Sequence, residues 1–317
     1  MAKIATLTLN PALDVSTRTD KLRPTHKLRC TPPRFEPGGG GINVARVVHA
    51  LGGDVTAVFP CGGGAGATFE KLLRETGVPI TPVPIAGTTR ESFTVDEEDS
   101  NEQYRFVLPG PSLTEDELAK LLDTLESLDG PPAYLIASGS LPPDCDPNIF
   151  RRLCALCGKI GARFVVDTSG DALAAVEGSC AWLIKPSLRE VEELVGRKLA
   201  SEADECAAAR ELLERGFADV ILVSLAERGA LLVSEGIELR MPAIEVPIGS
   251  AVGAGDSMVA GFTLAHAIGK SLEDALRYGI AAGAAALLTP GTELARREDV
   301  ERLYSAASTR GSAQNSA

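Results

Sequence analysis

Gly253-Ala254-Gly255-Asp256 runs directly into an apolar stretch of helical pattern, Ser257-Met258-Val259-Ala260-Gly261-Phe262. Amides at a helix start have no intrahelical partner and lie at the positive end of the helix dipole, and glycines there let an anion reach the main chain. An acid just after them is placed to accept the proton of a hydroxyl attacking phosphorus. The tetrapeptide therefore has the composition of a phosphoryl-transfer site, with Gly253, Ala254 and Gly255 supplying amides and Asp256 the base. Taken alone, it equally suits a Gly-rich turn whose acid favours the first helical turn.

A second cluster, Phe35-Glu36-Pro37-Gly38-Gly39-Gly40-Gly41-Ile42-Asn43-Val44-Ala45-Arg46, is a strand end running into a helix. Its glycines expose backbone amides, and Asn43 offers both a donor and an acceptor in the first turn, chemistry that suits sugar hydroxyls. A flexible turn capped by Asn43 is the plain alternative. Asp14, in Asn10-Pro11-Ala12-Leu13-Asp14, follows the first strand, where ligands gather in open α/β sheets, although the same residue suits a turn.

These residues need a scaffold, and the hydrophobic pattern supplies one. Strand-like runs at Ile4–Leu9, Val55–Phe59, Tyr134–Ala137, Arg163–Val166, Trp182–Ile184 and Val220–Val223 alternate with helical patterns at Ile42–Leu51, Thr68–Glu75, Asn148–Lys159, from Leu188, and within Glu202–Arg215. That alternation predicts an α/β fold with a parallel sheet. Thr114 with Glu117, Ser201 with Asp204 and Ser271 with Asp274 have capping-box spacing, and Gly216 ends a helix. Gly229–Val233 and Ile237–Met241 form a hairpin pattern, followed by helices over Asp256–Ile268 and Leu272–Leu287. Two polar, strand-prone segments, 13–36 and 90–108, break the rhythm and are expected to form an antiparallel flap inserted in the core. A flap with so little core of its own is steadied by packing over a ligand or another subunit. Residues 1–306 are expected to form a single domain and 307–317 a flexible tail.

Bulk properties narrow the function. The 317 residues are 44% hydrophobic, enough for a substantial core, and the net charge of −12 argues against nucleic acid as a partner. No run approaches the length of a membrane span and the first residues lack a signal-peptide pattern, so no membrane is expected and the cytoplasm is the expected location. The seven cysteines are odd in number and scattered, and are expected to be reduced, with Cys154 and Cys157 packing within a helix.

Taken together, the two glycine clusters, in that order, resemble the ribokinase-like PfkB carbohydrate kinases over about Ile4 to Tyr304. Lys27-Leu28-Arg29-Cys30-Thr31, Phe35–Arg46, Glu102-Gln103-Tyr104-Arg105-Phe106-Val107, Ser138-Gly139-Ser140-Leu141-Pro142-Pro143 and Val252–Met258 look most like the 6-phosphofructokinase branch of that family. The resemblance implies a three-layer α/β/α sandwich with a mainly parallel sheet and a small antiparallel β lid. It implies Asp256 as the base that activates the C1 hydroxyl of fructose 6-phosphate toward ATP. Asp14, Gly38, Gly39 and Asn43 would hold the sugar beside Ser138 and Gly139, and Arg90, with Lys27 or Arg29, its phosphate. Lys185, Ser187, Ser224, Gly229, Gly253 and Gly255 would line ATP, and Glu190 would hold Mg²⁺ through water. A loop near Ala286–Glu293 corresponds to one where relatives bind a monovalent cation, implying K⁺. Pairing of the lid implies a homodimer or higher homo-oligomer.

Departures from the family pattern qualify this. Ser187 stands where the family has Asn, Ala251 where it commonly has Thr, and Thr289 and Glu293 are unusual in the cation loop. Gly40 replaces the lysine usual in the related 1-phosphofructokinases and tagatose-6-phosphate kinases, which are the alternative reading. A sugar-phosphate sensor without catalysis is a third, opposed by the intact Asp256 and its glycines.

Overall fold

In the computed structural model, which describes residues 2–100, 102–289, 291 and 293–314, the elements follow in the order β1 (Ile4–Leu7), β2 (Ala12–Thr19), β3 (Arg34–Gly38), α1 (Gly40–Ala50), β4 (Val55–Cys61), α2 (Gly63–Glu75), β5 (Ile80–Pro84), β6 (Arg90–Glu97), β7 (Glu102–Val107), α3 (Glu115–Glu126), β8 (Tyr134–Ser138) and α4 (Ile149–Ile160). They continue with β9 (Arg163–Asp167), α5 (Gly170–Ala174), β10 (Ala181–Ile184), α6 (Leu188–Val195), α7 (Glu202–Glu214), β11 (Val220–Ser224), β12 (Ala230–Ser234), β13 (Ile237–Met241), α8 (Ala254–Ala267), α9 (Leu272–Leu287) and α10 (Arg297–Gln314). The main sheet has the order β13-β12-β11-β10-β9-β8-β1-β4-β5. It is parallel from β11 to β5, and only the β11–β12 and β12–β13 pairs are antiparallel.

Period-two alternation along the strands divides the core into two layers. Ile4, Ala57, Ile136, Leu183 and Leu222 face one layer with α1, α2, α8, α9 and α10. Ala5, Val58, Leu135, Ile184 and Ile221 face the other, with α3 to α7. Each fully buried Phe, such as Phe164 on β9 or Phe262 on α8, contributes roughly 2–3 kcal/mol of apolar burial.

Helix α8, which begins at the Gly253–Asp256 cluster, is held by unusually close packing. A Cβ on Gly261 of α8 would lie 2.7 Å from Ala282 Cβ, and one on Gly283 of α9 would lie 3.2 Å from the Ala254 carbonyl oxygen. The alanine- and glycine-rich sequence of α9 thus exists to bring its backbone against α8, fixing the first turn of α8 in place.

The lid is a four-stranded sheet, β3-β2-β6-β7. Its two outer pairs are antiparallel, as expected of a flap, but the central β2–β6 pair is parallel. The two inserted segments therefore lie side by side with the same direction instead of forming one continuous hairpin series.

Two further expectations need correction. Residues 307–314 continue α10, because Ser, Ala, Thr, Arg and Gln all tolerate a helix and the single Gly311 costs only about 1 kcal/mol; residues 315–317 of the expected tail lie outside the described residues. Cys154 is joined to Cys180 in a disulfide, since the turn before β10 brings their Cα atoms within 5.5 Å, while Cys157 stays free and buried. At the edge of the main sheet lies β5, whose Pro82 and Pro84 are tolerated there.

Candidate active site

The site is assembled where strand ends of the parallel sheet meet the first turns of α1 and α8. Gly253 precedes α8 with φ 74°, a left-handed conformation that glycine adopts without strain, and it turns the chain so that Ala254, Gly255 and Asp256 form the first helical turn. Asn43 in α1 donates from Nδ2 to Asp256 Oδ2 at 2.9 Å, so the two glycine clusters converge on one carboxylate. Burial, reinforced by the charge of Asp167, raises the pKa of Asp256 to about 6, against the opposing effects of the Asn43 hydrogen bond and Lys185.

Around Asp256 lies a buried ion pair. Lys185, just after β10, places Nζ 3.2 Å from Asp167 Oδ1 at the end of β9. Burial alone would lower the Lys185 pKa, but Asp167, Asp256 and Glu190 together raise it, so the ammonium is held charged. A Cβ on Gly255 would lie 3.4 Å from Lys185 Nζ, which puts this cation directly beside the amide-lined helix start. Asp167 also accepts from Ser138 Oγ at 3.5 Å, and its carbonyl accepts from the Gly139 amide at 2.9 Å.

The residues expected to hold a sugar form a second group. Asp14 on β2 lies against Gly38, where an added Cβ would come within 2.0 Å of Asp14 Oδ2. Burial pushes the Asp14 pKa up to about 6, opposed by Arg105, Arg90 and Arg46 and assisted by Glu36. Gly39 (φ 117°) turns the chain into α1, and Gly40 fits directly against Ser138 and Gly139. Arg90, at the start of β6, donates to the carbonyls of Asn10 at 3.0 Å and Leu108 at 3.1 Å, which fixes its guanidinium at the lid hinge. Lys27 and Arg29 stand apart: they lie exposed in the 20–33 connection, at the opposite end of β2 from the Asp14 group.

The residues expected to line a nucleotide follow Lys185 at the start of α6 and at the end of β11 and its turn into β12. Ser187 caps α6, accepting from the Glu190 amide, while Glu190 Oε2 accepts from both the amide and the hydroxyl of Ser187 at 2.7 and 2.9 Å. Serine in place of the family asparagine thus completes a reciprocal capping box that holds the Glu190 carboxylate in place. The Ser224 amide donates to the Pro186 carbonyl at 2.9 Å, tying the end of β11 to this segment. Gly229 (φ 94°) lies so close to the backbone of Met241 that a Cβ would come within 2.0 Å of its carbonyl oxygen. Among the described residues no group of three or more His, Cys, Asp or Glu converges on a direct metal site.

Asp167, Arg105 and Arg46 were not anticipated as site residues. Asp167 ends a buried strand, the same signal that drew attention to Asp14, and Arg105 comes to the Asp14 face only through the β6–β7 register that sets Thr94 opposite Arg105.

Comparison with known proteins agrees with this geometry. The family model for pfkB family carbohydrate kinases matches residues 4–298. ATP-dependent 6-phosphofructokinase isozyme 2 of Mycobacterium tuberculosis is 49% identical over 302 residues, covering 95% of this chain and 89% of the relative. The enzyme of the same name from Escherichia coli K12 is 44% identical over 305 residues, covering 96% and 98%. A crystal structure of Escherichia coli phosphofructokinase-2 in complex with fructose-6-phosphate superimposes with a TM-score of 0.91 at 42% identity, covering 97% of this chain and all of that one. Ribokinase from Thermotoga maritima, at 20% identity, shares the fold with a TM-score of 0.77. The chain belongs to the pfkB family of carbohydrate kinases, enzymes with a ribokinase-like α/β fold that transfer a phosphoryl group from ATP to a sugar hydroxyl.

Proposed function

We propose that the chain is a 6-phosphofructokinase that converts fructose 6-phosphate and ATP to fructose 1,6-bisphosphate and ADP in the cytoplasm, with residues 1–306 as one catalytic unit. The observation that carries this reading is the Asn43–Asp256 hydrogen bond, which ties the sugar-side cluster to the carboxylate at the amide-lined start of α8. Asp14, Gly38, Gly39 and Asn43 orient the sugar so that its C1 hydroxyl points at Asp256, with Ser138 and Gly139 flooring the site. Asp256 takes the hydroxyl proton as the C1 oxygen bonds to the γ-phosphorus and the bond to ADP breaks. The amides of Gly253, Ala254 and Gly255 stabilise the charge that builds on the transferring group, and Lys185 adds a fixed positive charge beside them. Ser224 and Gly229 border the nucleotide. Mg²⁺ on the nucleotide phosphates would neutralise charge, with Glu190 facing its water shell.

Gly40 favours this substrate over those of the sister kinases. A Cβ there would lie 2.3 Å from Ser138 Oγ and 2.8 Å from the Gly139 amide nitrogen, so the backbone has closed over the space in which those relatives keep a lysine. The 6-phosphate is then left to Arg90 and, across an oligomer, to Lys27 or Arg29 of a neighbouring copy. Escherichia coli phosphofructokinase-2 has been crystallised with potassium and in a tetrameric inhibited form, which supports use of K⁺, for which the 286–293 loop is the candidate, and homo-oligomerisation here. Pro290 and Thr292 of that loop lie outside the described residues. No helix among the described residues is long and apolar enough to cross a membrane. Side-by-side initial rates with fructose 6-phosphate, tagatose 6-phosphate and fructose 1-phosphate, following ADP, test the proposal: a higher kcat/KM for either of the last two overturns it.

A further inference from the structure

A charged side chain of the lid reaches the connection between α9 and α10. Arg34, on β3, lies on the same lid face as Asp14 and Glu36, because the β2–β3 register sets Asp14 opposite Glu36 and Ser16 opposite Arg34. Its Nη2 is 3.0 Å from Glu36 Oε1 within the lid and 3.7 Å from Glu293 Oε1 outside it. Glu293 belongs to the connection between α9 and α10, and its other oxygen, Oε2, accepts from Arg296 at 2.8 Å.

That connection supports the anion-binding turn from beneath. Buried Thr289 donates its hydroxyl to the Glu293 carbonyl at 2.7 Å and to the Ala286 carbonyl at 2.8 Å, folding the segment on itself. Its neighbour Leu294 packs so tightly on Gly253 that a Cβ there would lie 2.5 Å from Leu294 Cδ2. Upstream, the Gly249 amide donates to the Leu287 carbonyl at 2.7 Å, and a Cβ on Gly249 would meet the Thr289 carbonyl oxygen at 3.0 Å. The two ends of the loop that delivers Gly253 to the helix start thus rest on the segment whose acid the lid arginine reaches.

We propose that Arg34 and Glu293 are positioning residues that couple lid placement over the sugar phosphate to the order of the anion-binding turn, so that sugar phosphate and nucleotide bind synergistically. The inference rests on the reading that the sugar lies under the lid. Occupancy there fixes β3, which fixes the Arg34–Glu293 pair, which holds Glu293 and, with it, Thr289 and Leu294 against Gly249 and Gly253. The pair is half exposed, at 52% and 35% for the two side chains, so the coupling it supplies is about two- to five-fold.

The test is calorimetric titration of a non-hydrolysable ATP analogue with Mg²⁺, with and without saturating fructose 6-phosphate, on wild type, Arg34→Met, Glu293→Gln and the double variant. The ratio of the two affinities is the readout, because a general loss of structure lowers both and leaves the ratio unchanged. The expected result is a ratio well above one in wild type that falls about two- to five-fold in each single variant and no further in the double. A wild-type ratio of one, a ratio unchanged in the variants, or additive losses in the double variant overturns the latch. An effect of Glu293→Gln on a bound monovalent cation alone would leave Arg34→Met without effect, and that outcome also overturns it. Wild-type enzyme that fails to phosphorylate fructose 6-phosphate overturns the substrate reading itself, and turnover measured on the same sample separates the two failures.

Discussion

Asn43 Nδ2 and Asp256 Oδ2 meet at 2.9 Å although 213 residues separate them in sequence. The bond has two consequences: it aims the carboxylate toward the sugar-side cluster, and it favours the charged form of a buried acid whose pKa burial has raised to about 6. A base with that pKa is largely ionised at neutral pH and still basic enough to take a hydroxyl proton during transfer.

Asp256→Asn is expected to lower kcat on the order of 10²–10⁴-fold while both substrates still bind, because the amide keeps the shape and loses the basicity. Stability should move the other way. The folded-state pKa is raised above the unfolded value of 3.8, so the carboxyl's favourable contribution is complete below that value and is lost as pH rises through about 6. At pH 8 the neutral variant should therefore be more stable than wild type, by on the order of 1–3 kcal/mol, with the advantage gone near pH 4. Thermal melts at the two pH values and steady-state rates check both halves, and a variant retaining more than about a tenth of wild-type kcat would remove Asp256 from the role of base.

The pH profile should respond to Asn43. In wild type, kcat is expected to fall as pH drops through about 6 and Asp256 takes up a proton. Removing a hydrogen bond that favours the carboxylate raises its pKa, so Asn43→Ala should move this acid limb to higher pH, on the order of one unit. An unmoved limb would mean that a group other than Asp256 sets it.

Arg90→Ala should raise KM for fructose 6-phosphate by roughly ten- to a hundred-fold and leave KM for ATP nearly unchanged, the loss expected for charge-assisted bonds to a phosphate. The structure adds a control, because Arg90 also holds the carbonyls of Asn10 and Leu108 at the lid hinge. Equal losses for both substrates would assign it to lid ordering.

How far this site was legible depended on whether its chemistry is local. Gly253–Asp256 and Gly38–Asn43 could be read because a helix start must be contiguous: the glycines, the amides they expose and the acid or amide that follows occupy successive positions. The parallel core was legible for the same reason, since alternation along each strand records which face is buried. Asp167 was not, because a strand-end Asp becomes a site residue only when Lys185 of the neighbouring strand is brought to it. Arg34 and Arg105 depended on lid register, which polar strands specify weakly in sequence. Glu190 lay between the two cases. Ser187-x-x-Glu190 carries the capping-box signature, so its structural role was readable, but the motif resemblance drew attention to metal instead. The Cys154–Cys180 bond joins α4 to a turn 26 residues on, a distance that spacing alone does not flag.

The last prediction concerns assembly. Val15 pairs with Phe35 on one side and Phe93 on the other, and Phe93 pairs with Phe106, so one row of apolar side chains crosses all four lid strands. In a single chain Phe35 is 43%, Phe93 37% and Phe106 51% exposed, and Leu28 in the lid connection is 36% exposed. A small sheet that leaves such a row in water is marginally stable and marks an interaction surface. A second copy related by a two-fold axis offers the same row and can cover it, while carrying the exposed Lys27 and Arg29 toward its neighbour's sugar site. Burying an unpaired carboxylate in that contact is strongly unfavourable, so Phe93→Asp should yield monomers of low activity. Sedimentation at assay concentration, paired with rates, decides the matter: a wild-type monomer with full activity would leave the lid without this role.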